Sequence, residues 1–185
     1  MEIGSEPLSL HAPHHIKHGG LCALENRSNQ SKEAFDVAER TFVMAKPDGV
    51  GRRLVGELIQ RFEAKGLKLV ALKLQIMSAD LAKTHYEEHA DKPFFGELVD
   101  FITSGPTVQM VWEGNGAVDT VRKMNGATNC LNADVGTIRG DLGLSMQNNI
   151  VHASDSVDTA KREIALYFNE NEIWDYTMPD EHWLV

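Results

Sequence analysis

Hydrophobic and polar positions along residues 39–185 follow two periods, and their order predicts a fold. Strand-like apolar runs occupy residues 41–45, 67–77, 107–112 and 149–152. Helical spacing of apolar residues recurs over residues 54–62, 78–89, 93–102, 116–125 and from 156 onward. This βαββαβ order predicts an α+β, ferredoxin-like fold. We expect a four-stranded antiparallel sheet with surrounding helices, and we expect the helices to cover one of its faces.

Capping residues mark where these elements begin and end. Gly66 follows the first helical pattern as a C-cap, and Ser78 and Ser156 precede helical patterns as N-caps. Residues 46–49 form a turn signal, and residues 127–148 are rich in Gly and Asn, which predicts a long loop. The helix after Ser156 is expected to carry its apolar residues on one face: Val157, Ala160, Ile164 and Phe168.

Residues 1–38 differ in texture from the remainder of the chain. No apolar period persists there, and the segment includes four histidines, His11, His14, His15 and His18. We expect a disordered N-terminal extension, or a tail added for purification, without a catalytic role. Such histidines can also bind transition metals. Residues 39–185 are expected to form the folded domain.

The net charge of −9 argues against a broad basic surface for nucleic acid, so nucleic acid is not expected as the main partner. It leaves room for a small basic pocket that binds a phosphorylated metabolite. No apolar run is long enough for a membrane span or a secretory signal, and no membrane partner is expected. Cys22 and Cys130 form no CxxC pair, which fits a reducing compartment, and we expect a cytoplasmic protein.

Two glycine patterns fail as nucleotide-binding motifs. Gly51 and Gly56 have the spacing of a P-loop, but Glu57 stands where a lysine must contact the phosphates. The segment Gly114–Gly116 opens a helix, but Asp119 replaces the third glycine of a dinucleotide fingerprint. Any phosphate site must therefore be built in another way.

A histidine pair is also a weak metal motif. His85 and His89 lie one helical turn apart, as zinc ligands do, but Tyr86 replaces the glutamate of the HExxH pattern. We interpret the pair as part of a solvated helix face.

His152 is the most informative candidate residue. It ends a short apolar strand, and taken alone it is more easily explained as a structural histidine before a capped helix. Lys46 ends the first strand, whose end the sheet topology can bring beside the fourth. Arg139 lies in a glycine-containing loop, and Arg122 and Thr128 precede that loop. Two guanidiniums, an ammonium and a hydroxyl facing one imidazole suit a phosphate site.

The chain also resembles the nucleoside diphosphate kinases, over nearly all of residues 39–185. Eight ordered segments at family spacing carry the resemblance: Glu39–Met44, Lys46–Val50, Lys92–Phe95, Ser104–Pro106, Met110–Gly114, Gly126–Asn129, Gly136–Asp141 and Asn149–Ser156.

The resemblance implies a ping-pong transfer of the γ-phosphate of ATP to nucleoside diphosphates, through a phosphohistidine and with Mg²⁺ as cofactor. The Mg²⁺ is expected on the nucleotide phosphates, without direct protein ligands. His152 is the implied nucleophile. Glu163 would accept a hydrogen bond from its other ring nitrogen, and Ser154 would support that contact.

The remaining implied roles concern the bound nucleotide. Tyr86 would steady the site by hydrogen bonding, and Phe94 would stack on the base. The residues expected to hold phosphate oxygens are Lys46, Arg122, Thr128 and Arg139, and those expected on the ribose hydroxyls are Lys46 and Asn149. Taken singly, each of these residues also has a purely structural explanation as a surface charge, a helix cap or core packing.

The chain departs from the family pattern at three places. Cys130 stands where the family usually has proline, which removes a fixed φ from the start of the long loop. Ala153 replaces a glycine after the nucleophile, and Gln147-Asn148 replaces a common Gly-Arg. These changes bear on the assembly and on one secondary charge more than on the principal roles.

The resemblance also implies a homo-oligomer built from dimers, with a hexamer favoured over a tetramer or dimer. Two alternatives to the kinase stay open. One is a non-catalytic interaction protein on the same scaffold, although it would not need the intact set around His152. The other is a histidine-dependent phosphatase, although the sequence has no clear pair of a positioned water and an acid.

Overall fold

The computed structural model describes residues 39–183 and contains one four-stranded sheet in that range. The strand order is β2-β3-β1-β4, and every neighbouring pair is antiparallel. The predicted four-stranded ferredoxin-like sheet is confirmed. The strands are β1 (Glu39–Ala45), β2 (Lys68–Ile76), β3 (Pro106–Gly114) and β4 (Val151–Ala153).

Seven α-helices lie between or after these strands in the described range. None of the helices in that range is long and apolar enough to cross a membrane. The predicted disordered extension, residues 1–38, lies outside the described residues. The helices are α1 (Pro47–Gly51), α2 (Val55–Ala64), α3 (Ala79–His85), α4 (Phe95–Thr103), α5 (Ala117–Asn125), α6 (Ile138–Leu142) and α7 (Val157–Tyr167).

Helices cover both faces of the sheet, so the expectation of one covered face is wrong. Alternate residues of β1 point to opposite faces, because side chains alternate along a strand. Val43 and Ala45 pack with residues of α2, α5 and α6, and Phe42 and Met44 pack with residues of α3, α4 and α7. The central strands are therefore buried on both sides, and alternating polarity could not reveal this arrangement.

The predicted helix caps are confirmed. Gly66 has φ 92° and ends α2, with its N–H bonded to the carbonyl of Glu63 and the N–H of Leu67 bonded to that of Phe62. This is the Schellman pattern, which favours glycine at the left-handed position. The hydroxyls of Ser78 and Ser156 accept hydrogen bonds from the backbone at the start of α3 and α7.

Several boundaries differ from the predictions. The segment 127–148 is not a plain loop, since Thr137 caps the short helix α6 within it. The helical pattern at 78–89 divides, because α3 ends at His85 and a 3₁₀ turn, Glu87–His89, follows. The predicted apolar face of α7 is confirmed in part, since Ala160, Ile164 and Phe168 pack in or against the core, whereas Val157 is exposed and the buried residues of the helix also include Glu163. A buried carboxylate within a helix indicates a partner inside the fold.

Candidate active site

His152 lies in the middle of β4 and is held beside the central strand. Its Cα pairs with that of Met44 on β1, so the predicted approach of the first and fourth strands is confirmed. Paired residues in an antiparallel ladder share a face, and the imidazole therefore projects toward α3 and α7. The His152 side chain is 20% exposed, so it can be reached from solvent.

Glu163 on α7 meets this imidazole from inside the protein. Its Oε1 lies 2.8 Å from His152 Nε2, and its Oε2 accepts a 2.5 Å hydrogen bond from the hydroxyl of Ser154. Both Glu163 and Ser154 are buried. A carboxylate only accepts hydrogen bonds, so this contact puts the ring hydrogen on Nε2 and leaves the lone pair on Nδ1. No described residue forms a hydrogen bond with Nδ1.

The next side chain of the cluster, His85, was missed as a site residue by the sequence analysis. It is 1% exposed, so the interpretation of a solvated helix face is wrong for this residue. Its ring centroid lies 4.6 Å from that of His152, and its Nε2 lies 3.7 Å from Glu163 Oε1. Burial and the neighbouring His152 lower the pKa of His85 to about 2, and its imidazole therefore stays neutral.

Tyr86 reaches the cluster by ring contact instead of hydrogen bonding. Its ring lies edge-on to His85 at 4.4 Å and to His152 at 5.9 Å between centroids. Its hydroxyl has no hydrogen-bond partner among residues 39–183. Burial raises the pKa of Tyr86, so the phenol is neutral. The Tyr86 ring therefore packs against the imidazoles of His85 and His152.

A strained backbone segment fixes the approach to His152. Ile150 has φ 71°, a left-handed conformation that costs a β-branched residue about 1–3 kcal/mol. Two bonds hold it in place. The Asp48 carboxylate accepts from the Ile150 N–H at 2.9 Å, and the Ile150 carbonyl accepts from the Lys46 N–H at 2.8 Å. The turn after β1 and the start of β4 are therefore locked together.

Gly49 is required for this close approach, and we expect Gly49→Ala to destabilise the fold by about 1–3 kcal/mol. A Cβ at this position would lie 2.8 Å from the Ile150 carbonyl oxygen, which is backbone and cannot turn aside. Gly51→Ala in the same helix is the matched control, since a Cβ there meets nothing within 4 Å. Chemical denaturation of both variants measures the difference, and equal stability would contradict the packing argument.

Lys46 and Asn149 form the polar floor beside the imidazole. The Lys46 ammonium donates a 2.7 Å hydrogen bond to Asn149 Oδ1, and Asn149 Nδ2 donates to the Thr128 carbonyl at 3.0 Å. Both Lys46 and Asn149 are buried. Burial, followed by the positive charge of Arg139, lowers the pKa of Lys46 to about 8. A buried ammonium beside a second positive charge attracts an anion.

Arg139 connects α6 to the same region. Its guanidinium donates to three carbonyl oxygens, those of Asn149, Gly126 and Val151, at 3.3, 2.8 and 2.6 Å. Burial, together with the positive charge of Arg122, lowers the pKa of Arg139 to about 10. A guanidinium has five N–H donors, so the three carbonyls leave two for a ligand. No carboxylate forms a salt bridge with Arg139 or Lys46 within the described range.

Comparison with known proteins bears on this arrangement. A sequence profile described as nucleoside diphosphate kinase matches residues 39–173. A nucleoside diphosphate kinase of Oceanobacillus iheyensis is 58% identical over 146 residues, covering 79% of this chain and 99% of that protein. One of Methanobrevibacter smithii is 59% identical over 144 residues, covering 78% and 96%. The chain belongs to the nucleoside diphosphate kinase family. It is therefore a nucleotide-binding phosphotransferase.

Solved structures of the nucleoside diphosphate kinase family have the same fold. A halophilic nucleoside diphosphate kinase from Halobacterium salinarum, in complex with CDP, has a TM-score of 0.78 at 49% identity. A family protein from Babesia bovis has a TM-score of 0.77 at 46% identity. Each comparison covers 80% of this chain and 99% of the other.

The three other predicted nucleotide contacts are accessible. Phe94 is 47% exposed, and its ring centroid lies 5.7 Å from that of His89, which in turn stacks beside Tyr86. Arg122 and Thr128 are exposed. Of the residues predicted from the sequence, Lys46 and Asn149 are thus buried together, whereas Phe94, Arg122 and Thr128 are exposed. His85 and Asp48 belong to the same region and were not predicted as site residues. The local sequence gave no signal that His85 is buried while His89, one helical turn later, is partly exposed.

The family departure at Cys130 is accommodated in the packing. Its thiol is buried and lies 3.1 Å from the Ser145 carbonyl oxygen. A Cβ on Gly143 would come within 2.3 Å of the sulfur, so glycine at that position leaves room for it. The loop that proline would stiffen is closed here by a side-chain contact.

Proposed function

We propose that this enzyme transfers the γ-phosphate of ATP to nucleoside diphosphates by a ping-pong reaction through a phosphohistidine at His152. The main support for this proposal is the 2.8 Å contact between His152 Nε2 and the buried Glu163 carboxylate. It supports attack by Nδ1 on the γ-phosphorus, with formation of the N–P bond and cleavage of the bond to the oxygen of ADP. Glu163 then stabilises the positive charge that the ring gains when Nδ1 is phosphorylated.

Lys46, Arg139 and Arg122 would bind the phosphate oxygens and neutralise the charge that develops during transfer. Lys46 and Arg139 support this role because both are charged, largely buried and without a carboxylate salt-bridge partner in the described range. The hydroxyl of Thr128 would add a hydrogen bond. Asn149 and Lys46 would contact the ribose hydroxyls, since the two are already joined by a 2.7 Å hydrogen bond.

Phe94 would stack on the base at the exposed rim of the site. Stacking reads few base-specific groups, so the proposal includes tolerance of many bases. Mg²⁺ would accompany the nucleotide, where it would neutralise the charge of the phosphate oxygens. Lys46, Arg122 and Arg139 fit this arrangement because cationic side chains cannot ligate a metal and would act beside it on the same phosphates.

Isotope exchange and steady-state kinetics together test the ping-pong scheme. The enzyme is incubated with ATP and labelled ADP, and rates with ATP and a second nucleoside diphosphate are measured in parallel. A phosphoenzyme route predicts exchange of label into ATP together with parallel double-reciprocal lines, whereas direct transfer in a ternary complex would give intersecting lines. Release of free phosphate without exchange would favour the phosphatase alternative, and neither product would favour the non-catalytic interaction protein.

The affinity for ADP is expected to fall above pH 8, by up to about tenfold per pH unit. The pKa of Lys46 is lowered to about 8, so the free enzyme loses this ammonium above that pH. Bound phosphate favours the charged form, so binding must take up a proton. Arg139, with a pKa of about 10, stays mostly charged at pH 9. Calorimetric titration between pH 7 and 9.5 measures the slope, and Lys46→Gln should bind more weakly and lose it. An unchanged slope in that variant would contradict the assignment.

We also propose a homo-oligomer, with a hexamer favoured over a tetramer or dimer. Strand β2 lies at an edge of the sheet and exposes three apolar side chains in alternation, Leu72, Leu74 and Ile76. An exposed apolar edge strand invites pairing with a second copy. A separate apolar surface lies on the segment after α5, and a second interface is needed to build beyond a dimer. Its exposed residues are Leu131, Val135, Leu144 and Met146.

Leu74→Glu is expected to break the proposed contact between β2 and a second copy, because it would bury a charge there. The mass of the assembly should fall to half or less. Val157→Glu is the matched control, because Val157 is an exposed apolar residue on α7 outside both surfaces. Light scattering measures the mass of each variant. A monomeric unsubstituted protein would contradict the proposed oligomer, and an unchanged mass for Leu74→Glu would contradict the role of β2.

A further inference from the structure

Three ligand atoms converge behind the catalytic imidazole. His152 Nε2 lies 2.8 Å and His85 Nε2 lies 3.7 Å from the same oxygen, Glu163 Oε1. One donor atom from each of the three residues lies within 4.8 Å of the others. Two imidazoles and one carboxylate are a donor set that zinc and similar transition metals bind.

His85 makes this group more than a chance cluster. Both of its ring nitrogens are buried, and neither has a hydrogen-bond partner within residues 39–183. An unpaired buried polar group destabilises the fold, so a metal that binds this nitrogen satisfies a group that the protein itself leaves unpaired. One nitrogen of a neutral imidazole carries a lone pair, and in His85 no described residue donates a hydrogen bond to it.

We propose that His85, His152 and Glu163 form a site for one divalent transition metal, with Zn²⁺ as the representative ion, and that its occupancy inhibits the enzyme. Zinc bonds of about 2.0–2.2 Å place tetrahedral ligands roughly 3.3–3.5 Å apart. The two separations from Glu163 Oε1, 2.8 and 3.7 Å, lie on either side of that spacing. Side-chain shifts would complete the site, since the three donor atoms already lie within 4.8 Å of one another. The partly exposed His152 ring provides the route of entry.

The metal would bind the lone pair of His152 Nε2 in the other neutral tautomer, with the ring hydrogen moved to Nδ1. With a hydrogen on Nδ1 the ring has no lone pair left to attack the γ-phosphorus, so transfer stops while the metal is bound. The metal also occupies the carboxylate that would stabilise the phosphorylated ring. Mg²⁺ prefers oxygen ligands and keeps its waters, so it would not compete for two imidazoles. The inhibitory consequence rests on the proposed phosphohistidine mechanism, whereas the metal binding does not.

Cobalt absorption tests the binding without any nucleotide or turnover. Co²⁺ is added to the full chain after the potential metal ligands of residues 1–38 have been replaced. His11, His14, His15 and His18 are changed to Gln, and Cys22 is changed to Ser. The expected result is one equivalent of Co²⁺ with visible bands of tetrahedral strength. His85→Phe and Glu163→Gln, each checked for folding by circular dichroism, should weaken binding by at least about tenfold. His89→Gln is the matched control and should bind like the parent.

Zinc inhibition tests the consequence. Phosphate transfer is measured with excess Mg²⁺ and with free Zn²⁺ fixed by a chelator buffer, so that metal bound to nucleotide does not contribute. The His85→Phe variant should need at least about tenfold more free Zn²⁺ for half-inhibition of its own activity. Absence of the cobalt bands, or equal binding by both variants and the parent, would overturn the site. Failure of isotope exchange would overturn the mechanism and leave the cobalt result standing.

Discussion

Replacing His152 with alanine is expected to lower phosphate transfer by at least about 10⁴-fold, because the proposed reaction has no other nucleophile. The substitution removes the only described histidine that combines a solvent-reachable ring with a carboxylate at 2.8 Å. Nucleotide binding should change far less, since the proposed phosphate and base contacts involve other residues. The effect should therefore fall on kcat and leave the affinity for ADP within a few-fold of the parent.

Steady-state rates and calorimetry on the same preparation separate these two effects. His89→Ala is the matched control, because His89 is a partly exposed histidine of the neighbouring 3₁₀ turn with no contact to Glu163 in the described structure. It should keep most of the activity. Substantial transfer by His152→Ala would show that another group carries the phosphate.

Glu163→Gln is expected to lower kcat by roughly 10²–10⁴-fold with little change in KM. The amide has nearly the shape of the carboxylate but can donate a hydrogen bond to His152 Nε2. That contact favours the ring hydrogen on Nδ1, which removes the nucleophilic lone pair. The lost negative charge also leaves the phosphorylated ring without its counter-ion. KM should hold, because Glu163 is buried behind the ring and does not reach the nucleotide side.

A smaller substitution in the same contact sets the scale. Ser154→Ala removes the 2.5 Å hydrogen bond to Glu163 Oε2 but keeps the carboxylate, and a roughly tenfold fall in kcat is expected. Glu170→Gln, at an exposed position after α7, controls for the loss of one negative charge. Equal activity of Glu163→Gln and Glu170→Gln would remove Glu163 from the mechanism.

The contact between His152 and Glu163 could be predicted from the sequence because only one turn separates their elements. His152 lies on a strand and Ser156 caps the next helix, so Glu163, about two turns into that helix, was within plausible reach. The caps at Gly66 and Ser78 were equally local, since each is read from one residue type at a helix terminus. Such signals depend on a few neighbouring residues and survive without knowledge of the whole fold.

The parts that could not be predicted depend on packing between distant segments. His85 looks like its neighbour His89 in sequence, and only the approach of α7 and β4 buries one and leaves the other partly exposed. The three carbonyls bound by Arg139 come from two separate segments, and nothing in its local sequence names them. The second covered face of the sheet is likewise a consequence of where the helices cross.

The most direct test of the account is the position of phosphorus on the enzyme. The protein is treated with γ-labelled ATP and freed of nucleotide, and the phosphoenzyme is examined by phosphorus NMR and peptide mapping. The account predicts an acid-labile phosphate on Nδ1 of His152, which passes to an added nucleoside diphosphate and is absent from His152→Ala. Phosphate on Nε2, on another residue, or in an acid-stable form would contradict the geometry that Glu163 imposes.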